Sequence, residues 1–112
     1  MTTSGTGFQF EIADSEDADK YVTTTITCHG RLTSQNKDEL RALVNPLIQA
    51  GGRRIVLDFA DLDYLDSSGL GAVVGLKVSA INKGLCTLQL INLTPRVKQL
   101  FSITNVLQML SE

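Results

Sequence analysis

The sequence predicts one α/β domain in which helices pack on a mixed sheet. Three observations predict it. Apolar residues alternate with polar ones at the amino-terminal end, an almost unbroken apolar run stands at Ile55, Val56, Leu57 and Phe59, and stretches of helical apolar spacing separate the strand patterns. With 112 residues the chain has room for a single core.

Phe8, Phe10 and Ile12 alternate with polar neighbours, and Val22, Thr24, Ile26 and Cys28 do the same, a period of two that marks half-buried strands. They are expected to pair antiparallel across a hairpin loop running from Asp14 to Lys20. Residues 1–7, rich in Thr, Ser and Gly, are expected to be disordered. Gly30 is expected to end the second strand, with Thr33 or Ser34 as N-cap of the helix that follows. Leu40, Leu43, Val44, Leu47 and Ile48 share one face of that helix. Pro46 inside it removes a backbone hydrogen bond, so a kink or weakening is expected before Gly51 and Gly52 end it.

The run at Ile55 reads as a central strand covered on both faces. A loop of Asp61, Leu62, Asp63, Tyr64 and Leu65 follows, then a second helix carrying Leu70, Val73, Val74, Val78 and Ile81 and ending at Asn82, Lys83 and Gly84. Cys86, Leu88 and Leu90 alternate as a further strand. Thr94 and Pro95 start a third helix with Val97, Leu100 and Phe101, and Val106 to Leu110 are expected to form a last edge strand. The strands near Val56 and Leu88 should be parallel, joined by a right-handed crossover. Loops at the carboxyl ends of such strands are where sites usually form, and Asp61 to Ser68 is one.

Apolar residues make up 43%, charged residues 20%, and the formal net charge is -2, the balance of a soluble globular domain. Without a basic excess, a nucleic-acid surface is not expected. Neither a leader peptide nor a membrane-length apolar stretch is visible, so a cytoplasmic chain with no membrane partner is expected. Cys28 and Cys86 read as reduced core residues. Cys28 and His29 are adjacent on a strand, point to opposite faces and cannot share a metal ion. With no G-x-S-x-G and no base for a serine, no enzyme, cofactor or metal is expected.

The most informative segment runs from Asp66 to Gly71, D-S-S-G-L-G at a helix start. Standing alone, Asp66, Ser67 and Ser68 would read as a helix cap. Ser68 would also present its hydroxyl beside unpaired backbone N–H groups, with Gly69 and Gly71 leaving that turn open to another protein. Leu62, Tyr64 and Leu65 read as apolar plugs of the core, with Tyr64 also a candidate for an interface. The hexapeptide, with Gly30, Arg31 and Leu32 before the first helix and Pro95, Arg96, Val97, Leu100 and Phe101 in the third, resembles the bacterial STAS domains, particularly the anti-sigma factor antagonists.

That resemblance implies a STAS (SpoIIAA-like) fold over residues 8–112, with a mixed β-sheet and helices in a βαβ-type sandwich. It also implies a partner-switching role in transcription regulation: the unphosphorylated chain binds an anti-sigma factor with serine kinase activity and so releases a sigma factor. Phosphorylation at Ser68 switches it off, and a PP2C-type phosphatase resets it. The residues expected at the partner surface are Asp66, Ser67, Ser68, Gly69, Tyr64, Arg31 and Thr33, on a monomer or weak dimer. The chain departs from the family where Thr33 and Ser34 stand in place of the usual acidic residue, and where Arg31 replaces the Glu of many relatives. The competing reading is a constitutive STAS adaptor or scaffold, in a lipid-transport complex or a stressosome-like assembly, with no phospho-switch.

Overall fold

The computed structural model describes residues 2–3, 8–16, 22–84 and 86–103. Strands β2 (Phe8–Glu16) and β3 (Val22–Leu32) pair antiparallel, with Phe10 opposite Cys28 and Ile12 opposite Ile26. Strands β4 (Arg53–Leu65) and β5 (Cys86–Ile91) add to β3 in parallel. A short strand β1 (Thr2–Thr3) pairs along the free edge of β2, so the sheet order is β1-β2-β3-β4-β5. Helices α1 (Lys37–Ala50) and α2 (Ser67–Lys83) are the two crossovers. Both step in the same direction across the sheet, and right-handed connections therefore lay both on one face. Helix α3 (Pro95–Ile103) follows β5. No helix among the described residues is long and apolar enough to cross a membrane.

The core forms between that face and the helices. Ile26 and Cys28 of β3, Ile55, Leu57 and Phe59 of β4 and Leu88 of β5 join Leu40, Val44 and Ile48 of α1 and Leu70, Val73 and Leu76 of α2 in one buried cluster. Each such side chain contributes roughly 1.5–3 kcal/mol through burial. On the opposite face, Thr23, Thr25, Thr27 and Val56 are half-buried and Thr87 and Gln89 are exposed. Coverage of β4 on both faces, expected from its apolar run, is thus not found among the described residues. The threonines keep β propensity without demanding burial.

Other differences are local. The first three residues of the expected hairpin loop are strand, since Asp14, Ser15 and Glu16 pair with Thr24, Thr23 and Val22. The buried Thr24 hydroxyl donates to Asp14 Oδ1 (2.7 Å) and accepts from Arg53 (3.1 Å), which satisfies a polar group on the inner face. Thr2 and Thr3 pair along the edge of β2, which offers them a ladder. Gly30, with φ 92°, does not end β3, which continues to Leu32. Asn36, not Thr33 or Ser34, precedes α1, and its side chain bonds backward to Thr33 N–H (2.8 Å) and Arg31 C=O (2.7 Å) rather than capping the helix.

Helix α1 runs unbroken through Pro46. Pro46 removes the donor that the Ala42 carbonyl would otherwise meet, and both residues lie on the exposed side of the helix. Gly51 and Gly84, both at positive φ, end α1 and α2 as expected. The Thr94 hydroxyl accepts from Val97 N–H (3.3 Å), the expected cap of α3, and Val97 is buried. The tail from Val106 to Leu110 lies outside the described residues, as do the side chains of Phe8, Leu100 and Phe101.

Candidate functional site at the start of α2

The segment Asp61 to Leu65 is strand, not loop. From Thr27 to His29 on β3 the partner strand advances from Asp58 to Asp61, and from Gly30 to Arg31 it advances from Leu62 to Tyr64. Each shift inserts an extra residue into β4, a bulge. The Asp58 carboxylate supports the first by accepting from Ala60 N–H (3.0 Å). Inward positions thereby change from every second to every third residue, and Phe59, Leu62 and Leu65 are buried while Tyr64 is 37% exposed. Leu62 and Leu65 are the core plugs that were expected.

β4 then delivers the chain to α2. Asp66 N–H donates to Leu32 C=O (3.2 Å), and Asp66 in extended conformation caps the helix, its Oδ1 accepting from Gly69 N–H (2.8 Å). Its Oδ2 accepts from Ser34 N–H (3.3 Å), so one carboxylate ties the loop before α1 to the first turn of α2. Thr33 is absorbed by that loop: its carbonyl accepts from Asn36 and Lys37 N–H, and its hydroxyl from Gln35 N–H (3.2 Å). Arg31 lies exposed with its guanidinium 4.7 Å from the centre of the Tyr64 ring. Ser67 is exposed and Ser68 half-buried, and neither hydroxyl is engaged by another described residue.

The residues singled out from sequence thus meet at one end of the sheet, with one changed role. Gly69 is buried, and a Cβ there would stand 2.5 Å from the Leu32 carbonyl oxygen and 2.8 Å from Leu65 Cδ1. Its missing side chain lets α2 seat on β3 and is not an opening for a partner. Gly71 is exposed, and a Cβ on it would meet nothing.

Beside this turn lies a cleft of about 470 Å³ lined by Tyr64, Leu65, Asp66, Ser67, Arg96, Val97 and Gln99. Sequence reading gave Arg96 and Gln99 no site role. The adjacent Thr94-Pro95 helix start was the available signal, and it carries no information on what α3 faces. Both ring nitrogens of His29 face carboxylates, Nδ1 3.0 Å from Asp61 and Nε2 3.4 Å from Glu11. Cys28 and Cys86 are free and buried, and burial pushes the Cys28 thiol up to about 12, with Asp58 adding to the effect. The Cys86 thiol is also raised by burial. No group of three or more His, Cys, Asp or Glu that could hold a metal occurs among the described residues.

The model of the STAS domain matches residues 13–111. The chain belongs to the STAS domain family. Its relatives include the anti-sigma-B factor antagonist of Staphylococcus aureus, 32% identical over 77 residues that cover 69% of this chain and 70% of that protein. The structure of the anti-sigma factor antagonist SpoIIAA in its unphosphorylated form is 27% identical, with a TM-score of 0.67 over 91% of this STAS domain chain and 84% of that one. The phosphorylated form of the Bacillus SpoIIAA, 24% identical, has the same fold, with a TM-score of 0.65 over 93% and 89%.

Proposed function

We propose that this STAS domain is an anti-sigma factor antagonist whose binding surface is built around Ser68. It binds an anti-sigma factor with serine kinase activity while Ser68 is a free hydroxyl, and phosphorylation of Ser68 by that partner ends the complex. A PP2C-type phosphatase restores the free form, and the exchange takes place in the cytoplasm without turnover by the chain itself. The observation that carries this reading is Ser68 in the first turn of α2, half-buried and unengaged by any described residue, on a turn held by Asp66 and Gly69. Resemblance to both phosphorylation forms of SpoIIAA supports it.

A phosphoserine carries about -1.5 to -2 charge. The helix dipole favours an anion there by only about 0.3–1 kcal/mol, which leaves the fold intact. A partner carboxylate roughly 4 Å away would be repelled by about 4 kcal/mol per unit charge at an effective dielectric of about 20. About 1.4 kcal/mol already weakens binding tenfold.

Incubation with the candidate kinase and ATP, followed by mass spectrometry and titration of each form, tests the switch. Phosphate is expected on Ser68, with at least tenfold weaker binding. Ser68→Ala should bind constitutively, and Ser68→Asp weakly. Phosphate found only elsewhere, or equal affinity of the two forms, would favour the constitutive adaptor.

A further inference from the structure

Helix α2 turns Gly69, Leu70, Ala72, Val73, Leu76, Lys77 and Ala80 inward. Its sole charge before the last turn, Lys77, is buried with Nζ donating to the Leu88 carbonyl (2.7 Å). The outward face is therefore uncharged from Ser67 to Asn82, and it carries Val78 at 40% and Ile81 at 57% exposure. Ser68, Gly71 and Gly75 follow one another at i, i+3 and i+7, which places them along one stripe of this face. Val78 and Ile81 form the adjacent ridge, continued by Val74, which is half-buried and packed against the core.

Both glycines are out of place on internal grounds. An interior glycine weakens a helix relative to alanine. Yet neither has a positive φ, and a Cβ at either would meet nothing within 4 Å. Nothing in the described structure requires them. What a bare stripe on a helix permits is the close approach of another backbone, and an adjoining aliphatic ridge completes a groove. The element that fits is a second helix, since its backbone groups are already bonded to one another and it can bury an apolar stripe against an uncharged one.

Resting on the function proposed above, we infer that the groove along Gly71 and Gly75, walled by Val74, Val78 and Ile81, seats an apolar helix face of the anti-sigma kinase. Ser68 stands at the head of the glycine stripe, so the side chain that would be phosphorylated lies at the end of the same groove. A dianion there would face an uncharged, desolvated contact and would loosen it. The stiff β-branched ridge has few rotamers to lose on binding. A second copy of the chain is a poorer occupant, because it would cover Ser68 against the kinase that must reach it.

The test is the double variant Gly71→Ala/Gly75→Ala, read by thermal unfolding and by calorimetric titration against the purified anti-sigma kinase. Two opposite signs are expected: an unfolding midpoint raised by about 4–8 °C, and affinity at least tenfold lower. Val78→Asp should also lose at least tenfold while remaining folded. Affinity within twofold of the parent in both variants overturns the proposal. A lowered midpoint in the glycine variant also overturns it, since the glycines would then serve a contact within the chain, with residues 104–112 as the occupant. A parent dimer that these substitutions dissociate, seen by sedimentation, overturns it in favour of a second copy. The Ser68-phosphorylated protein, titrated in parallel, separates the two ideas. If it alone weakens binding, the switch stands and the seat falls; if only the groove variants do, the seat stands and the switch falls.

Discussion

Gly69 and Gly71 are two residues apart on α2 and meet opposite surroundings. A Cβ at Gly69 would collide with the Leu32 carbonyl and Leu65, whereas at Gly71, and again at Gly75, it would enter open space. Glycine is thus required at position 69 by the chain's own packing, and at 71 and 75 by nothing among the described residues. The difference teaches where each loss should register. An inward glycine is read out in stability, and an outward one in whatever the helix meets.

The comparison breaks first at Gly69. Gly69→Ala should destabilise the domain by about 1–3 kcal/mol, the range of overpacked cores, with a matching fall in the urea midpoint. An unchanged midpoint would mean that β3 yields to a methyl group and that the close seating of α2 is incidental. Asp66→Ala should have the next largest effect, about 0.5–2 kcal/mol for a lost cap. It also releases Ser34 N–H, so amide exchange should quicken both at Gly69 and in the loop before α1. Protection lost at Gly69 alone would show that the loop is held without Asp66.

The inward and outward contrast extends to the sheet, where the smallest effect is expected. Cys28 faces the core, and its thiol titrates at about 12 instead of 9.0 because burial disfavours the thiolate. A group whose folded value is raised keeps its stabilising contribution below the unfolded value and loses it as pH climbs. Stability from this source should therefore be complete below pH 9.0 and decline as pH rises toward about 12. Cys28→Ala should flatten that decline in pH-dependent urea titrations. An equally steep decline in the variant would assign it to other groups.

What was legible in the sequence was local. The order of strands and helices from β2 to α3, the stops at Gly51 and Gly84, the cap at Thr94 and the place of Ser68 at a helix start all follow from neighbours along the chain. Period and caps are properties of a few consecutive residues, and no distant partner can change them much.

Tertiary structure decided the rest. Bulges in β4 turned an apparent loop into strand, because they replace a period of two by one of three that no local rule anticipates. The buried face of α2 could not be chosen from sequence either, since Leu70, Ala72, Val73, Val74, Leu76, Val78, Ala80 and Ile81 surround the helix with apolar residues. The expected stripe at Val78 and Ile81 faces outward instead, while Leu76 and Ala80 take the core. Only the sheet, supplying β5's Leu88 carbonyl for Lys77 and β3's Leu32 carbonyl above Gly69, selects that rotation. Both carbonyls belong to strands that come to α2 through the topology, so the choice lies in contacts between segments that the linear sequence keeps apart.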